Sequence, residues 1–80
     1  MPLDPAAAIA ERFGRVVRGL RDQRGWSQEQ LAARAELNRS YMGEVERAGA
    51  MPSLATAAKL ALALDVPLSR LIHWCEESAE

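Results

Sequence analysis

Apolar side chains recur along this chain at spacings of three and four, and the places where that period breaks divide it into five amphipathic helices. Ile9, Phe13, Val16, Val17 and Leu20 form the first stripe. Asp4 is placed to cap the free amides of that helix, and Pro5 suits the first helical position, where its missing N–H costs nothing. Gly25 ends the run. Gly14 and Gly19 inside it each weaken the helix by roughly 1 kcal/mol relative to Ala, so its docking must depend on the stripe.

Ser27-Gln28-Glu29-Gln30 opens the second helix with a Ser followed three residues later by Gln, an arrangement in which each side chain satisfies the other's backbone amide. Leu31, Ala32 and Ala35 give this short helix its buried side. Glu36-Leu37-Asn38 interrupts it, and Asn38 caps a third helix from Arg39 to Arg47, in which Met42 and Val45 point inward. Gly49 and Pro52 then break the pattern. Ser53 caps a fourth helix whose Leu54, Ala57, Ala58, Leu60, Ala61 and Leu64 read as a wide apolar face, central to the core. After Asp65-Val66-Pro67, residues from Leu68 to about Glu77 form a fifth helix bearing Leu71, Ile72 and Cys75, with Trp74 beside them. The acidic end, Glu76 to Glu80, is expected to fray.

The fold class is therefore all-α. A length of 80 residues supports one module, 1–80, built on a single core. The only aromatic residues are Phe13, Trp26, Tyr41 and Trp74, a poor supply for a sheet. Cys75 has no second cysteine to pair with, which fits a reducing compartment. Residues 1–5 lack the basic and apolar signature of a secretion signal, and no apolar run is long enough to span a bilayer. The expectation is a cytoplasmic protein without a membrane partner.

The formal net charge of −1 argues at first against a nucleic-acid partner, because neutralising phosphate supplies much of such binding. The distribution of charge points the other way. Residues 12–39 carry seven arginines against Asp22, Glu29 and Glu36, a local balance of +4, while residues 40–80 carry three basic and six acidic side chains. One end of the molecule can be basic although the whole is not.

Residues 27–47 carry the functional signal: a capped helix of about two turns, a three-residue turn, and a second short helix with a polar outer face. That is helix-turn-helix geometry, in which the first helix lies across the phosphate backbone and the second enters the major groove of B-DNA, about 12 Å wide. Arg39, Ser40 and Glu44 project from one outer surface. Arginine can donate two parallel hydrogen bonds to guanine O6 and N7, serine can serve either base edge, and a carboxylate can accept from cytosine N4. Gly43 between them lets the helix approach closely. Ser27, Asn38, Tyr41 and Arg47 are placed for phosphate, as are the amides near Gln28 at the helix start. Such a protein is nucleoid-associated when bound to DNA.

The run Leu20-Arg21, Gly25-Trp26-Ser27-Gln28-Glu29-Gln30-Leu31-Ala32, Tyr41-Met42, Val45-Glu46-Arg47, Pro52-Ser53-Leu54, Leu60-Ala61, Leu64-Asp65-Val66, Leu68 and Leu71 resembles the Cro/C1-type (Xre) helix-turn-helix regulators over residues 17–71. Residues 37–47 look most like the controller proteins of restriction–modification systems. The resemblance implies a five-helix, lambda-repressor-like DNA-binding domain and a homodimer on a two-fold symmetric operator. It also implies Gln28 at a phosphate, base contacts from Arg39, Ser40 and Glu44, and an internal ion pair between Arg21 and Glu46. One departure stands out: Ala48 occupies the position where the family carries Gly, and Gly49 follows, so the exit from the third helix is expected to differ.

Other features read more plainly. Arg12, Arg15, Arg18, Arg21 and Arg24 recur every third residue, a stripe that drifts around a helix, so Arg12 and Arg15 are read as solvated and Arg18 and Arg24 as open to either phosphate or solvent. Trp26 is read as cover for the junction of the first two helices. His73 and Cys75 have no second His or Cys to complete a metal site or a nucleophile–base pair, and no nucleotide-binding glycine loop is present, so no cofactor, small-molecule substrate or enzymatic activity is expected. Leu68, Leu71, Ile72 and Trp74 exceed what a terminal helix needs for one core, and they are assigned to a two-fold dimer interface. A second reading, a protein-interaction module of antitoxin or adaptor type, draws on the acidic second half of the chain.

Overall fold

A computed structural model describes residues 4–77, and among these the regular elements are five α-helices. They are α1 (Pro5–Gln23), α2 (Gln28–Ala35), α3 (Arg39–Glu46), α4 (Leu54–Ala63) and α5 (Leu68–Glu77). Of the acidic end, residues 78–80 lie outside the described residues.

The caps read from the sequence close the helix starts. The Asp4 side chain accepts from the Ala6 amide at 3.4 Å. Ser27 Oγ accepts from the Gln30 amide at 3.1 Å while Gln30 Oε1 accepts from the Ser27 amide at 2.8 Å, completing the reciprocal box. Asn38 Oδ1 accepts from the amides of Ser40 and Tyr41, and Ser53 Oγ from that of Thr56. A cap contributes about 1 kcal/mol, whereas each fully buried leucine contributes roughly 1.5–3 kcal/mol. Caps thus set where the helices begin, and the apolar stripes hold them together.

The helix ends are less conventional. Gly25, with φ of 70°, ends α1 in the left-handed region where glycine is at ease. Glu36, Ala48 and Asp65 take φ of 58°, 62° and 59° without that freedom. Ala48 follows the cap of α3 and takes the left-handed conformation there itself. The Ala48 amide donates to the Val45 carbonyl and the Gly49 amide to the Glu44 carbonyl at 2.8 Å, and the alanine itself adopts the left-handed turn.

α1 packs on α3 and α5, α2 on α3 and α4, and α4 on α5. Val17, Leu31, Met42, Leu60, Leu64, Leu71 and Cys75 are wholly buried where these helices meet. Burial raises the pKa of the Cys75 thiol, the nearby Arg12 opposing that effect weakly. Two residues read as core on α4 are not: Leu54 is 76% exposed and Ala58 is exposed, while Leu62 stands 82% exposed on the same helix. Gly14 is a contact point, because a Cβ there would lie 2.6 and 2.7 Å from the backbone oxygens of Glu46 and Val45. α1 therefore meets the end of α3 backbone to backbone. Gly19, five residues on, faces open space.

Candidate nucleic-acid interface

α3 is eight residues long, and its two sides differ in every respect. Met42 and Val45 fill the core, as their spacing from the polar positions requires. Glu46 turns inward as well, with its side chain only 3% exposed, and meets Arg21 of α1. Arg21 Nε donates to Glu46 Oε2 at 2.7 Å and Nη2 to Oε1 at 3.0 Å, a two-pronged pairing. Arg21 Nη1 also donates to the Trp26 carbonyl at 2.8 Å, and Gln28 Nε2 donates to Glu46 Oε1 at 3.0 Å. The hydrogen bond to Glu46 is the main cause that raises the Arg21 pKa, so the guanidinium stays charged through the physiological range. α1, the start of α2 and the end of α3 are joined at this one carboxylate.

On the other side Arg39, Ser40, Glu44 and Arg47 are exposed. With Gln28 and Gly43 they line a cleft of about 280 Å³ between the start of α2 and the outer face of α3. Gln28 borders it from α2, its amide nitrogen held by Glu46 and its oxygen on the side of Gly43. Ser27 and Asn38 cap their helices through oxygen, which leaves the Ser27 hydroxyl hydrogen and the Asn38 amide hydrogens for an outside acceptor. Tyr41 is half-buried against the core.

Three arginine contacts complete this region, the first two of them not read from the sequence. Arg24 donates to the carbonyls of Leu20 and Leu64, so its charge caps the end of α4. The Arg34 guanidinium lies 4.2 Å from the centre of the Trp26 ring, a cation–π contact that fixes the covered helix junction. Arg47 Nη2 binds Glu44 Oε2 at 3.0 Å and lies back over Gly43. No periodicity could have announced the first two, since carbonyl capping and ring stacking need contacts between distant segments. The i, i+3 spacing of Glu44 and Arg47 was a signal for the third.

The residues assigned to a dimer interface divide. Leu71 is 0% exposed in the core of this chain and has no surface left for a partner, which corrects that assignment. Leu68, Ile72 and Trp74 are only partly covered.

Comparison with known proteins matches the helix-turn-helix family HTH_3 to residues 17–71, the segment that holds the cleft and both capped helices. The chain belongs to that family, of the Cro/C1 (Xre) type. This helix-turn-helix chain is 36% identical over 64 residues to the HTH-type transcriptional regulator SutR of Escherichia coli (strain K12), covering 80% of this chain and 36% of SutR. It is 37% identical over 59 residues to the immunity repressor protein of Bacillus phage phi105, covering 74% of this chain and 41% of that repressor. It thus spans about two fifths of the length of these curated relatives. Among solved structures, the restriction-modification controller protein C.AhdI from Aeromonas hydrophila superposes with a TM-score of 0.75 at 45% identity, over 78% of this chain and 94% of that one. The clp gene regulator ClgR from C. glutamicum gives a TM-score of 0.82 at 22% identity, over 100% of this chain and 97% of that one, a likeness of fold.

Proposed function

We propose that this chain is a sequence-specific, double-stranded DNA-binding transcriptional regulator that acts as a homodimer on a two-fold symmetric operator, with α3 in the major groove. The observation that carries the reading is the exposed polar face of α3, held outward by an inner face that is fully engaged. An α-helix with its side chains is about 10–12 Å across, and a groove about 12 Å wide admits it. Arg39 and Ser40 supply donors and acceptors that distinguish base pairs, Glu44 stands beside them on the same face, and Ser27, Gln28, Asn38 and Tyr41 flank them towards the sugar–phosphate backbone.

Pairing of two copies would set the reading helices about 34–36 Å apart, one turn of the duplex. The partly covered Leu68, Ile72 and Trp74 on α5 support such pairing. Similarity to C.AhdI supports a role as a restriction–modification controller. The protein works by binding and not by catalysis, in the cytoplasm. Among the described residues no helix is long and apolar enough to cross a membrane.

Selection from a random duplex pool against competitor DNA tests the proposal. The wild-type chain enriches a two-fold symmetric sequence, Arg39→Ala loses preference at one base pair, and Gln28→Ala weakens all duplexes alike. A protein that sediments as a monomer at micromolar concentration and binds no duplex at low salt overturns it.

A further inference from the structure

We propose that Arg47 is a base-reading residue, that Glu44 is the residue that positions it, and that Gly43 and Gly49 make room for the pair. The inference rests on the DNA-binding reading above and refines which side chains specify sequence.

Arg39, Gly43 and Arg47 fall at i, i+4 and i+8, a single stripe along the outer face of α3 and its cap. Side chains on a helix lean towards its start, so a long residue at 47 reaches back over 43. A Cβ at Gly43 would lie 3.1 Å from Arg47 Nη1 and 3.6 Å from Nη2, so the guanidinium occupies the space that glycine leaves. That brings it beside Gln28 and into the same cleft as Arg39, Ser40 and Glu44.

Glu44 holds it there. Its Oε2 binds Arg47 Nη2 at 3.0 Å, a single contact that leaves the other edge of the guanidinium free for two parallel bonds to guanine O6 and N7. The pairing also settles an electrostatic difficulty, since a lone carboxylate on this face would meet a polyanion, whereas one bound to arginine presents little net charge.

Gly49 is the independent observation. The left-handed conformation at the exit of α3 belongs to Ala48, and Gly49 has no positive φ. Gly49 is thus not needed for its backbone freedom. A Cβ there would run into Glu44 Oε1, so what the glycine supplies is space for that carboxylate. The chain carries alanine where conformation favours glycine, and glycine where the Glu44–Arg47 pair needs room.

The test compares wild type, Arg47→Ala, Glu44→Ala, the double variant and Gly49→Ala by selection of bound duplexes and by affinity against single-base changes, with thermal melts to show that each folds. Arg47→Ala and Glu44→Ala should each lower discrimination at the same base pair by roughly 10- to 100-fold, and the double variant no further. Gly49→Ala, which leaves both charged residues in place, should lower discrimination at that position too. The inference alone is overturned if Arg47→Ala keeps every base preference while weakening all duplexes and reducing the salt slope by about one, the behaviour of a phosphate contact. It is also overturned if Arg47→Ala and Glu44→Ala alter different positions. A wild-type chain that selects no sequence overturns the DNA-reading proposal and this one with it.

Discussion

The inner and outer faces of α3 carry side chains of similar polarity in opposite states. Inside, Glu46 accepts from Arg21 twice and from Gln28 once, and it is almost wholly enclosed. Outside, Glu44 makes one bond to Arg47, and both side chains are at least half exposed. The same residue type, two positions away, is thus a structural tie on one face and the exposed partner of Arg47 on the other. A helix that must offer polar groups to a partner needs a rigid back, and here that back includes ions as well as hydrocarbon.

The largest effect should come from the inner face. Glu46→Ala removes both carboxylate bonds from the Arg21 guanidinium, and Arg21→Ala strands the more deeply enclosed Glu46. Arg21→Ala should lower stability by ~3–5 kcal/mol in denaturant titration, because Glu46 stays buried without a counter-charge, and Glu46→Ala by somewhat less, because Arg21 keeps Asp22 at 3.5 Å and the Trp26 carbonyl. Gly14→Ala should follow at ~1–3 kcal/mol, since its methyl group must push α1 away from the α3 carbonyls. A melt unchanged by Gly14→Ala would show that the two backbones do not bear on each other.

Gains of about 1 kcal/mol are expected where alanine and glycine stand in each other's favoured settings. Ala48→Gly relieves a left-handed alanine, and Gly19→Ala adds helix propensity facing open space. Thermal melts of the two variants and of their combination should rise additively, as their sites share no partner. The smallest effect belongs to the outer face. Glu44→Ala and Ser40→Ala should leave stability within ~0.5 kcal/mol of wild type, because exposed pairs contribute little. A loss as large as that of Glu46→Ala would erase the distinction between the faces.

The helix starts were legible in the sequence because each rests on local chemistry: Asp4, Ser27, Asn38 and Ser53 each bond within three residues of themselves. The stripes of α1 and α3 were legible because polar residues separate their apolar ones. α4 was not, since Leu54, Ala55, Ala57, Ala58, Leu60, Ala61, Leu62 and Ala63 leave almost no polar face to set the phase. Leu54 and Leu62 consequently stand exposed. The Arg21–Glu46 tie came from family likeness, because its partners lie 25 residues apart. The meaning of Gly14 and Gly49 depended on what stands opposite them in space, which a one-dimensional pattern does not contain.

Cys75 gives the molecule a built-in clock. With no accessible surface and a thiol kept protonated by its apolar surroundings, it is closed to oxidants and alkylating reagents while α5 remains docked on α1 and α4. Every modified thiol therefore records an opening, local or global, that uncovers the last helix.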